Sequence, residues 1–425
     1  MKIRSMIDMD SGSGRLVKPT LEVPLRILVT ISDVYGLQLS LESDVRLLVE
    51  LARRGHEVTC VMATSGNSRP NLRGVPSFTL SAIPMRKITP VLSFVVSQLI
   101  MFWRVFRKIW QYDVLVVNAY SSLLLLPVLV LTRSCKAAPI VFLRVVSNPV
   151  EKGRYFRSAI FEIIYDLSIK LSSILFDRLF FISPMLGEMY SRKLHLGKEK
   201  IAVWPSPVDT SVFDPDAVMD TKRLRQELGL CTRVGFLYHG VLTKGRGIIG
   251  MVEAFKILQM DSVKARLILL GHGPLKDDIA RYVETNDMEE YVEICGPVDY
   301  SMVPSYIAAC DAGLMALPDH PWWRYQCPTK VLEYLAMNKP LIVSDIPAHR
   351  WILDSIPLAL YMQGTDPRDI AEAVHTYLRK ERSHDMITGR DIARRFSMGE
   401  IAKMLEQSML SSKAKTLWTR VRELR

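Results

Sequence analysis

The sequence predicts an α/β protein in which two doubly wound, Rossmann-like domains face a cleft. Short apolar runs alternate with segments whose apolar residues recur at helical spacing, which indicates successive β-α units. The runs are apolar throughout rather than at every second residue, a pattern typical of parallel strands covered by helices on both faces. The same pattern begins again after the proline-rich segment 204–216. We therefore expect two such domains, with ligands bound in the cleft between them.

The length and composition agree with this prediction. A chain of 425 residues is long enough for two or three domains with separate cores. Hydrophobic residues make up 49% and charged residues 23% of the chain, which excludes wholesale disorder. The formal net charge of +11 favours anionic partners, such as nucleotides, phospholipid surfaces or nucleic acid, without choosing among them.

The first domain is predicted to open with a strand at 25–31, a helix at 43–55 that ends on a glycine, and a strand at 56–62. Four more apolar runs follow before the proline-rich segment. They predict strands at 112–118, 138–144, 177–183 and 200–206.

The second domain repeats this opening with a strand at 234–240, a helix at 247–258, and a strand with a glycine turn at 265–274. Three further runs, YVEICG, DAGLMAL and KPLIVSD, complete the predicted sheet. The C-terminal segment reads as helices, which we expect to pack back on the first domain. The expected divisions are a flexible tail at 1–22, the first domain at 23–206, the second domain at 207–395 and the C-terminal helices at 396–425.

Cysteine spacing indicates a reducing compartment. None of the six cysteines forms a Cys-x-x-Cys pair, and most lie within apolar runs. We therefore expect buried thiols rather than disulfides or a zinc site. The N-terminal tail lacks the apolar core of a signal peptide, so we predict a cytoplasmic location.

Two segments of the first domain are unusually apolar. No run reaches the ~18 to 20 apolar residues of a membrane span, but 91–110 and 154–181 mix apolar and aromatic side chains with arginine and lysine. One interpretation is a pair of buried core helices. The other is peripheral contact with the inner face of the cell membrane, with aromatic rings at headgroup depth and cations on anionic lipid. The sequence leaves both interpretations open.

The segment 327–345, CPTKVLEYLAMNKPLIVSD, places an opposed charge pair at the start of a predicted helix. Pro328 suits the first helical position, where its missing N–H costs nothing. Helical spacing puts Lys330, Glu333, Tyr334 and Met337 on the face away from the core, near the carboxyl ends of strands, where α/β folds bind ligands. The plainer interpretation is an exposed ion pair worth about 0.2–0.5 kcal/mol.

Three glycine turns follow predicted strands of the second domain. The first, YHGVLTKGRG, contains Gly240 and ends with Arg246 before a helix. Glycines let a diphosphate approach the backbone, and an arginine can hold two of its oxygens. The second turn contains Gly271 but lacks the third glycine of a dinucleotide fingerprint, since Lys276 stands there. The third turn contains Val298.

Together these motifs resemble those of the family 4 glycosyltransferases, which have the GT-B fold and use nucleotide-sugar donors. The resemblance covers most of the chain, including RILVTISD, DRLFFIS and VDTSVFDP, and is strongest over 238–350. The helix motif of the family often reads Pro-x-Lys-x-x-Glu-Tyr-x-Ala followed by Lys-Pro. In this chain it is Pro328, Lys330, Glu333, Tyr334, Ala336, Lys339 and Pro340.

The resemblance implies a role for each motif residue. Glu333 would accept hydrogen bonds from the ribose hydroxyls, while Arg246 and Lys330 would hold the donor diphosphate. These three residues form the predicted catalytic group. The backbone at Gly240 and Gly271 would flank the donor, with Val298 beside its base. On the acceptor side, Asp33, Gly36 and Arg144 are candidates, although a buried structural role is the alternative for Arg144.

The chain also departs from the family pattern. Many members carry two glutamates spaced Glu-x7-Glu, but Tyr325 stands at the first position here, within the loop PDHPWWRYQ. His320, Trp322, Trp323 and Arg324 of this loop either contact the donor sugar or simply pack. Val241 replaces an arginine common after the first glycine, and LRVVSNP replaces a segment that usually carries a histidine.

The resemblance implies a retaining glycosyltransferase that moves a sugar from a nucleotide-diphosphate sugar to a glycan or glycolipid acceptor. The apolar, basic segments suggest an acceptor that is lipid-linked or part of the cell envelope. No cluster has metal-ligand spacing, so we expect no cofactor, and we predict no nucleic-acid partner. Two alternatives stay open, a catalytically silent GT-B-like partner at the membrane and a GT-B nucleotide-sugar epimerase.

Overall fold

The computed structural model describes residues 24–35, 40–65, 75–85, 90–133, 139–146, 159–218, 221–354, 356–379 and 388–423. The chain divides into two compact units. The first consists of Met1–Trp204 with Gly399–Arg425, and the second of Pro205–Met398. The tail predicted at 1–22 lies outside the described residues.

The first unit is built on a parallel sheet with the strand order β3-β2-β1-β4-β5-β6-β7. Every residue of β4 and β5 is buried, as their continuous apolar sequences predict. The strands are β1 (Arg26–Tyr35), β2 (Glu57–Ser65), β3 (Phe78–Met85), β4 (Val114–Asn118), β5 (Ile140–Val145), β6 (Arg178–Phe181) and β7 (Ile201–Val203). The helices are α1 (Ser40–Arg53), α2 (Pro90–Lys108), α3 (Ala119–Arg133), α4 (Ala159–Leu175) and α5 (Pro184–Leu194).

The second unit repeats this architecture with the order β10-β9-β8-β11-β12-β13, again parallel. Its strands are β8 (Val234–His239), β9 (Ala265–Leu270), β10 (Val292–Cys295), β11 (Ala312–Met315), β12 (Leu341–Ser344) and β13 (Ala359–Met362). Its helices are α6 (Lys222–Glu227), α7 (Ile248–Met260), α8 (Lys276–Thr285), α9 (Val303–Ala309), α10 (Pro321–Arg324), α11 (Thr329–Ala336), α12 (Pro347–Leu353), α13 (Pro367–Arg379) and α14 (Gly389–Arg395). The prediction of two doubly wound units is confirmed.

The strand order of the second unit fixes where its loops converge. The chain runs from β8 outward to β10, then returns to place β11 on the other side of β8. The connections after β8 and β11 therefore leave the sheet in opposite directions. Such a reversal opens a crevice at the carboxyl ends of the two strands, which is where doubly wound sheets bind ligands.

The last helix, α15 (Met398–Glu423), packs on the first unit through polar contacts. Arg54 donates to Glu406 through both Nε and Nη2, at 2.9 and 2.5 Å. Glu406 Oε1 also lies 3.2 Å from Nε2 of the buried His56, whose Nδ1 accepts from the Leu25 N–H. Farther along the helix, Lys413 Nζ lies 2.9 Å from Asp113 Oδ1. These contacts tie α15 to the amino-terminal ends of β1, β2 and β4.

Several details of the fold differ from the sequence predictions. Strands β3 and β13 had no predicted counterpart, because FTLSAIPM and ALYM lack a long apolar run. Helix α11 begins at Thr329, so Pro328 is its N-cap residue and not its first helical residue. Tyr334 and Met337, predicted on the face away from the core, are both buried, because α11 is covered on nearly all sides.

Among the described cysteines, three thiols are buried as expected, whereas Cys231 is exposed and Cys295 is partly exposed. Cys60, Cys310 and Cys327 are free and buried, and burial raises the pKa of each thiol to about 12. None of the helices in the described ranges is both long and apolar enough to cross a membrane.

The packing of α15 gives a prediction about stability. Glu406→Ala should lower the free energy of unfolding by about 1–2 kcal/mol, because it removes the partner of Arg54 and of the buried His56 from a partly exposed site. Thermal denaturation followed by circular dichroism measures this change. Lys403→Ala, at an exposed position of the same helix, is the matched control. Equal melting temperatures for the two variants would contradict the anchoring role of Glu406.

Candidate functional site

The candidate site of the second unit begins at the carboxyl end of β8. After His239 the chain turns at Gly240, whose φ of +133° is a conformation that side-chain-bearing residues rarely adopt. A Cβ atom at Gly240 would collide with Cε of Lys330, which reaches this turn from α11. Glycine at position 240 therefore lets the Lys330 side chain lie directly against the backbone that follows β8.

A second glycine turn, at the end of β9, packs against the first. Gly271 has a φ of +150°, and a Cβ atom there would collide with the carbonyl oxygen of Gly240. The Gly240 N–H donates to the Leu270 carbonyl at 2.8 Å, and the Leu242 N–H donates to the His272 carbonyl at 2.8 Å. The two turns thus form one hydrogen-bonded ledge of backbone beside Lys330, which we call the glycine ledge.

Arg246 lies at the end of the short helical turn Lys244–Arg246, just before α7. Its guanidinium carbon lies 4.9 Å from the centre of the Trp323 ring. The indole Nε1 of Trp323 in turn donates to the Gly245 carbonyl at 2.7 Å. The guanidinium also lies beside the Tyr238 hydroxyl and partly offsets the rise that burial causes in the pKa of Tyr238. Arg246 is therefore held from two sides.

Lys330 and Glu333 lie one turn apart on α11, and burial shifts the pKa of both side chains. Glu333 is only 9% exposed. Burial raises the pKa of Glu333, and the attraction of Lys330 offsets this only in part. Burial and the neighbouring Arg246 lower the pKa of Lys330, while Glu333 opposes that change. The two cations and the carboxylate therefore act on one another in a single cluster, which corresponds to the predicted catalytic group.

The carboxylate of Glu333 keeps much of its hydrogen-bonding capacity. The Tyr300 hydroxyl donates to Oε1 over a long 3.5 Å, and Tyr300 itself packs edge-to-face on Phe213. His239 Nε2 lies 3.4 Å from Oε2 but, among the described residues, has no hydrogen-bond partner. Burial lowers the pKa of His239, so its ring is neutral at neutral pH. An ionised carboxylate offers about four acceptor positions, so several are left for a ligand.

The remaining predicted residues fall in different places. Val298 lies in the turn after β10, at the same edge of the sheet as the glycine ledge. Gly36 and the side chain of Asp33 lie outside the described residues. Arg144 is buried, bonds Asp44 Oδ1 at 2.7 Å and stacks over Trp204 at 4.4 Å. These contacts match its structural alternative rather than the predicted acceptor role, because a buried charge needs such partners.

Sequence reasoning missed some of the residues that shape the site. No spacing rule pointed to Tyr300, which approaches Glu333 from the segment after β10. The two tryptophans of the loop after β11 were predicted either to contact the donor sugar or to pack, but the sequence did not show that Trp323 stacks on Arg246.

The chemistry of this cluster suits an anionic, hydroxyl-bearing ligand. Two cations attract phosphate oxygens, while a buried carboxylate accepts hydrogen bonds from hydroxyls. Within the described ranges, no group of three or more His, Cys, Asp or Glu side chains is placed to hold a metal ion. Two doubly wound α/β units, one of them carrying such a cluster at its switch point, are the architecture of the GT-B class.

Comparison with known families agrees with this class. Residues 233–380 match the family model described as glycosyl transferases group 1, and residues 45–212 match the model described as glycosyltransferase family 4. The chain therefore belongs to the family 4 glycosyltransferases, enzymes that transfer glycosyl groups. Over 188 residues it is 23% identical to the alpha-D-kanosaminyltransferase of Streptomyces kanamyceticus. That match covers 44% of this chain and 47% of the relative, about half of its length.

Solved structures share the fold at low sequence identity. HepE of Anabaena, determined in complex with UDP, has a TM-score of 0.68 and 12% identity, covering 91% of this chain and 100% of that one. The sucrose-phosphate synthase of Thermosynechococcus elongatus has a TM-score of 0.61 and 14% identity, covering 94% of this chain and 99% of that one. These similarities confirm the predicted GT-B fold.

The perturbed carboxyl group of Glu333 predicts a pH-dependent stability. The pKa of Glu333 is higher in the folded chain than in the unfolded one. At a pH well below the usual pKa of 4.5, the carboxyl group is protonated in both states and does not lower the free energy of unfolding. As the pH rises towards neutrality, the unfolded chain releases this proton first, and stability falls. Glu333→Gln should therefore melt a few degrees higher than the wild type at pH 7.5 and at the same temperature at pH 4.

Melting curves of both proteins across this pH range, recorded without any ligand, provide the measurement. Glu284→Gln, at an exposed position of α8, controls for the general effect of removing a carboxylate. A melting difference between Glu333→Gln and wild type that is the same at every pH would show that the carboxyl group is not perturbed.

Proposed function

We propose that this chain transfers a sugar from a nucleotide-diphosphate sugar to an acceptor, with retention of the anomeric configuration. The observation that carries the proposal is the buried carboxylate of Glu333 beside two cations and a ledge of glycine backbone. Burying these charges costs stability in the free protein. A ligand that carries both hydroxyls and phosphates would bring the missing partners for all of them.

The donor would lie along the glycine ledge. Its ribose hydroxyls would donate to Glu333, and its diphosphate oxygens would accept from Arg246 and Lys330, with the backbone at Gly240 and Gly271 flanking the donor. Val298 would lie beside the base. The Anabaena structure in complex with UDP and an Arabidopsis thaliana starch synthase bound to ADP support this assignment, since each of these fold relatives holds a nucleoside diphosphate.

The same cations would assist the chemical step. As the bond between the anomeric carbon and the diphosphate oxygen breaks, negative charge grows on the leaving diphosphate. Arg246 and Lys330, placed before the reaction begins, would stabilise that charge without reorganisation. Side chains supply the positive charge in this scheme, so the proposed step uses no cofactor.

The acceptor would be a lipid-linked or cell-envelope glycan at the cytoplasmic face of the membrane. Support comes from the segments 91–110 and 154–181, whose described helical parts bury one side in the core and also carry large apolar side chains that are exposed. Exposed apolar side chains of this kind favour the interfacial interpretation of these segments.

A catalytically silent protein and an epimerase are the alternatives, and Tyr325 at the position of the first family glutamate is the observation that favours the silent protein. Assays of nucleotide release separate the three. A transferase releases nucleoside diphosphate faster when membrane extract supplies an acceptor. An epimerase converts free nucleotide sugar without acceptor, and a silent partner does neither.

Donor binding gives the direct prediction. Glu333→Ala should weaken binding of the donor about 10- to 100-fold, because it removes charge-assisted hydrogen bonds to the ribose. Isothermal titration, after a thermal-shift screen of nucleotide sugars has identified a ligand, measures the affinity. Glu284→Ala is the matched control, since Glu284 is exposed on α8 of the same unit. The proposed role of Glu333 in donor binding is excluded if Glu333→Ala binds every nucleotide sugar as tightly as the wild type does.

A further inference from the structure

Large exposed hydrophobic side chains are concentrated on one part of the first unit. Fourteen are exposed among the described residues, and only Ile249, Met260 and Met302 belong to the second unit. The others lie on α2 with the helical turn that continues it, on α3 and on α4. They are Leu99, Ile100, Trp103, Phe106, Trp110, Leu124, Val130, Ile163, Ile164, Leu167 and Ile174, which we call the apolar face.

On α2, the exposed side chains form a stripe along the helix. Leu99, Trp103 and Phe106 recur at spacings of four and three residues, and Trp103 is 58% exposed. The opposite side of the helix buries Met101 and Val105 against the unit. The stripe is thus a second apolar side of a helix that already has a core-facing one, so a core requirement does not explain it.

Helix α4 repeats this arrangement. Ile163, Leu167 and Ile174 recur at spacings of four and seven residues with exposed fractions of 63%, 49% and 61%. The buried side carries Ile169 and Ser172. Helix α3 packs against both α2 and α4. The three helices lie on one face of the sheet, because the connections β3-α2-β4, β4-α3-β5 and β5-α4-β6 all run in the same direction and such crossovers are right-handed.

The charges at this face select its partner. Every charged residue of α2 is basic, and two of them, Arg107 and Lys108, are exposed in its last turn, close in sequence to Trp110. Trp103 and Trp110 add exposed indole rings, which favour the boundary between headgroups and acyl chains. On α4, Asp166 is paired with Lys193 at 2.6 Å, and Glu162 is exposed at the helix start.

We propose that the apolar face binds an anionic lipid bilayer, with α2 and α4 lying flat in its interface. Apolar stripes would enter the headgroup boundary while Arg107 and Lys108 contact anionic lipid. This inference deepens the proposed function, since a lipid-linked acceptor resides in the same bilayer. The partner is a lipid surface, and α3, which joins the two stripes, is part of the face that contacts it.

Vesicle sedimentation with the full chain tests the proposal without donor or acceptor. The wild type should sediment with vesicles containing phosphatidylglycerol and bind more weakly to pure phosphatidylcholine. Trp103→Glu with Ile163→Glu should abolish sedimentation, while Met260→Glu, at a 78% exposed position of the second unit, should leave it unchanged. Arg107→Gln with Lys108→Gln should weaken binding to the anionic vesicles by about fivefold per charge.

Three results would overturn the proposal. The first is a wild type that sediments with neither kind of vesicle. The second is a Trp103→Glu, Ile163→Glu double variant that melts like the wild type and still sediments. The third is a dimer in analytical ultracentrifugation that this variant dissociates, which would make a second copy of the chain the partner. Donor affinity, measured separately by titration, reports on the proposed function independently.

A different observation concerns the loop that replaces the first family glutamate. Trp323 contributes its ring face to Arg246 at 4.9 Å and its N–H to the Gly245 carbonyl at 2.7 Å. It therefore contacts both the side chain of Arg246 and the backbone just before it. Trp322 packs edge-to-face on the same ring at 6.2 Å. One indole thus restricts the rotamer of the arginine and the turn that carries it.

We infer that Trp323 is a positioning residue for Arg246. A guanidinium held in place before the donor arrives loses less conformational entropy when it binds the diphosphate. The cation–π contact orients the planar guanidinium through its face. The N–H donors around the edge of the guanidinium stay available for phosphate oxygens. This inference also depends on the proposed function, because it assumes that Arg246 contacts the donor.

Steady-state kinetics and a double-mutant cycle test this role. Trp323→Leu should lower kcat/KM for the donor about tenfold, and Trp323→Phe, which keeps a ring face, should recover most of that loss. In an Arg246→Ala background, Trp323→Leu should have no further effect. Equal losses from Trp323→Leu in both backgrounds would show that Trp323 does not act through Arg246. An Arg246→Ala variant with unchanged kinetics would instead refute the donor assignment itself.

Discussion

The candidate site depends on one close approach, that of the Lys330 side chain to the backbone of Gly240. Lys330 reaches this turn because position 240 has no Cβ, and Gly271 brings the next strand end equally close. From the same helix, Glu333 is buried one turn away, and Arg246 follows from the other end of the turn after β8. A side chain at Gly271 would collide with the Gly240 carbonyl and push the two turns apart, whereas one at Gly240 would displace the end of the Lys330 side chain.

This arrangement keeps opposed charges partly desolvated in the free protein. Burial shifts the pKa of Glu333 upwards and that of Lys330 downwards, so each resists its charged form until the other, or a ligand, compensates. The surrounding packing maintains the cluster at this cost. Tyr334 donates to the Leu237 carbonyl at 2.6 Å and fixes α11 to β8, while Trp323 restricts Arg246. Active sites are often less stable than their surroundings for this reason.

The sequence predicted well where local pattern and buried environment agree. Strands such as β4 and β5 are buried on both sides, so their apolar runs identified them, and the Pro-x-Lys-x-x-Glu-Tyr motif located α11. It failed where tertiary neighbours decide. Helical spacing placed Tyr334 on an open face, but β8 covers it, and β3 owes its strand conformation to pairing with β2 rather than to its own composition. The contact between Trp323 and Arg246 joins two loops with no shared pattern.

A structure of this chain with a bound nucleoside diphosphate, selected by the ligand screen, would test the central claim most directly. Ribose hydroxyls should lie within hydrogen-bonding distance of the Glu333 carboxylate, and diphosphate oxygens should contact Arg246 and Lys330 beside the glycine ledge. A nucleotide bound elsewhere, with Glu333 still bonded only by Tyr300 and the ledge empty, would contradict it.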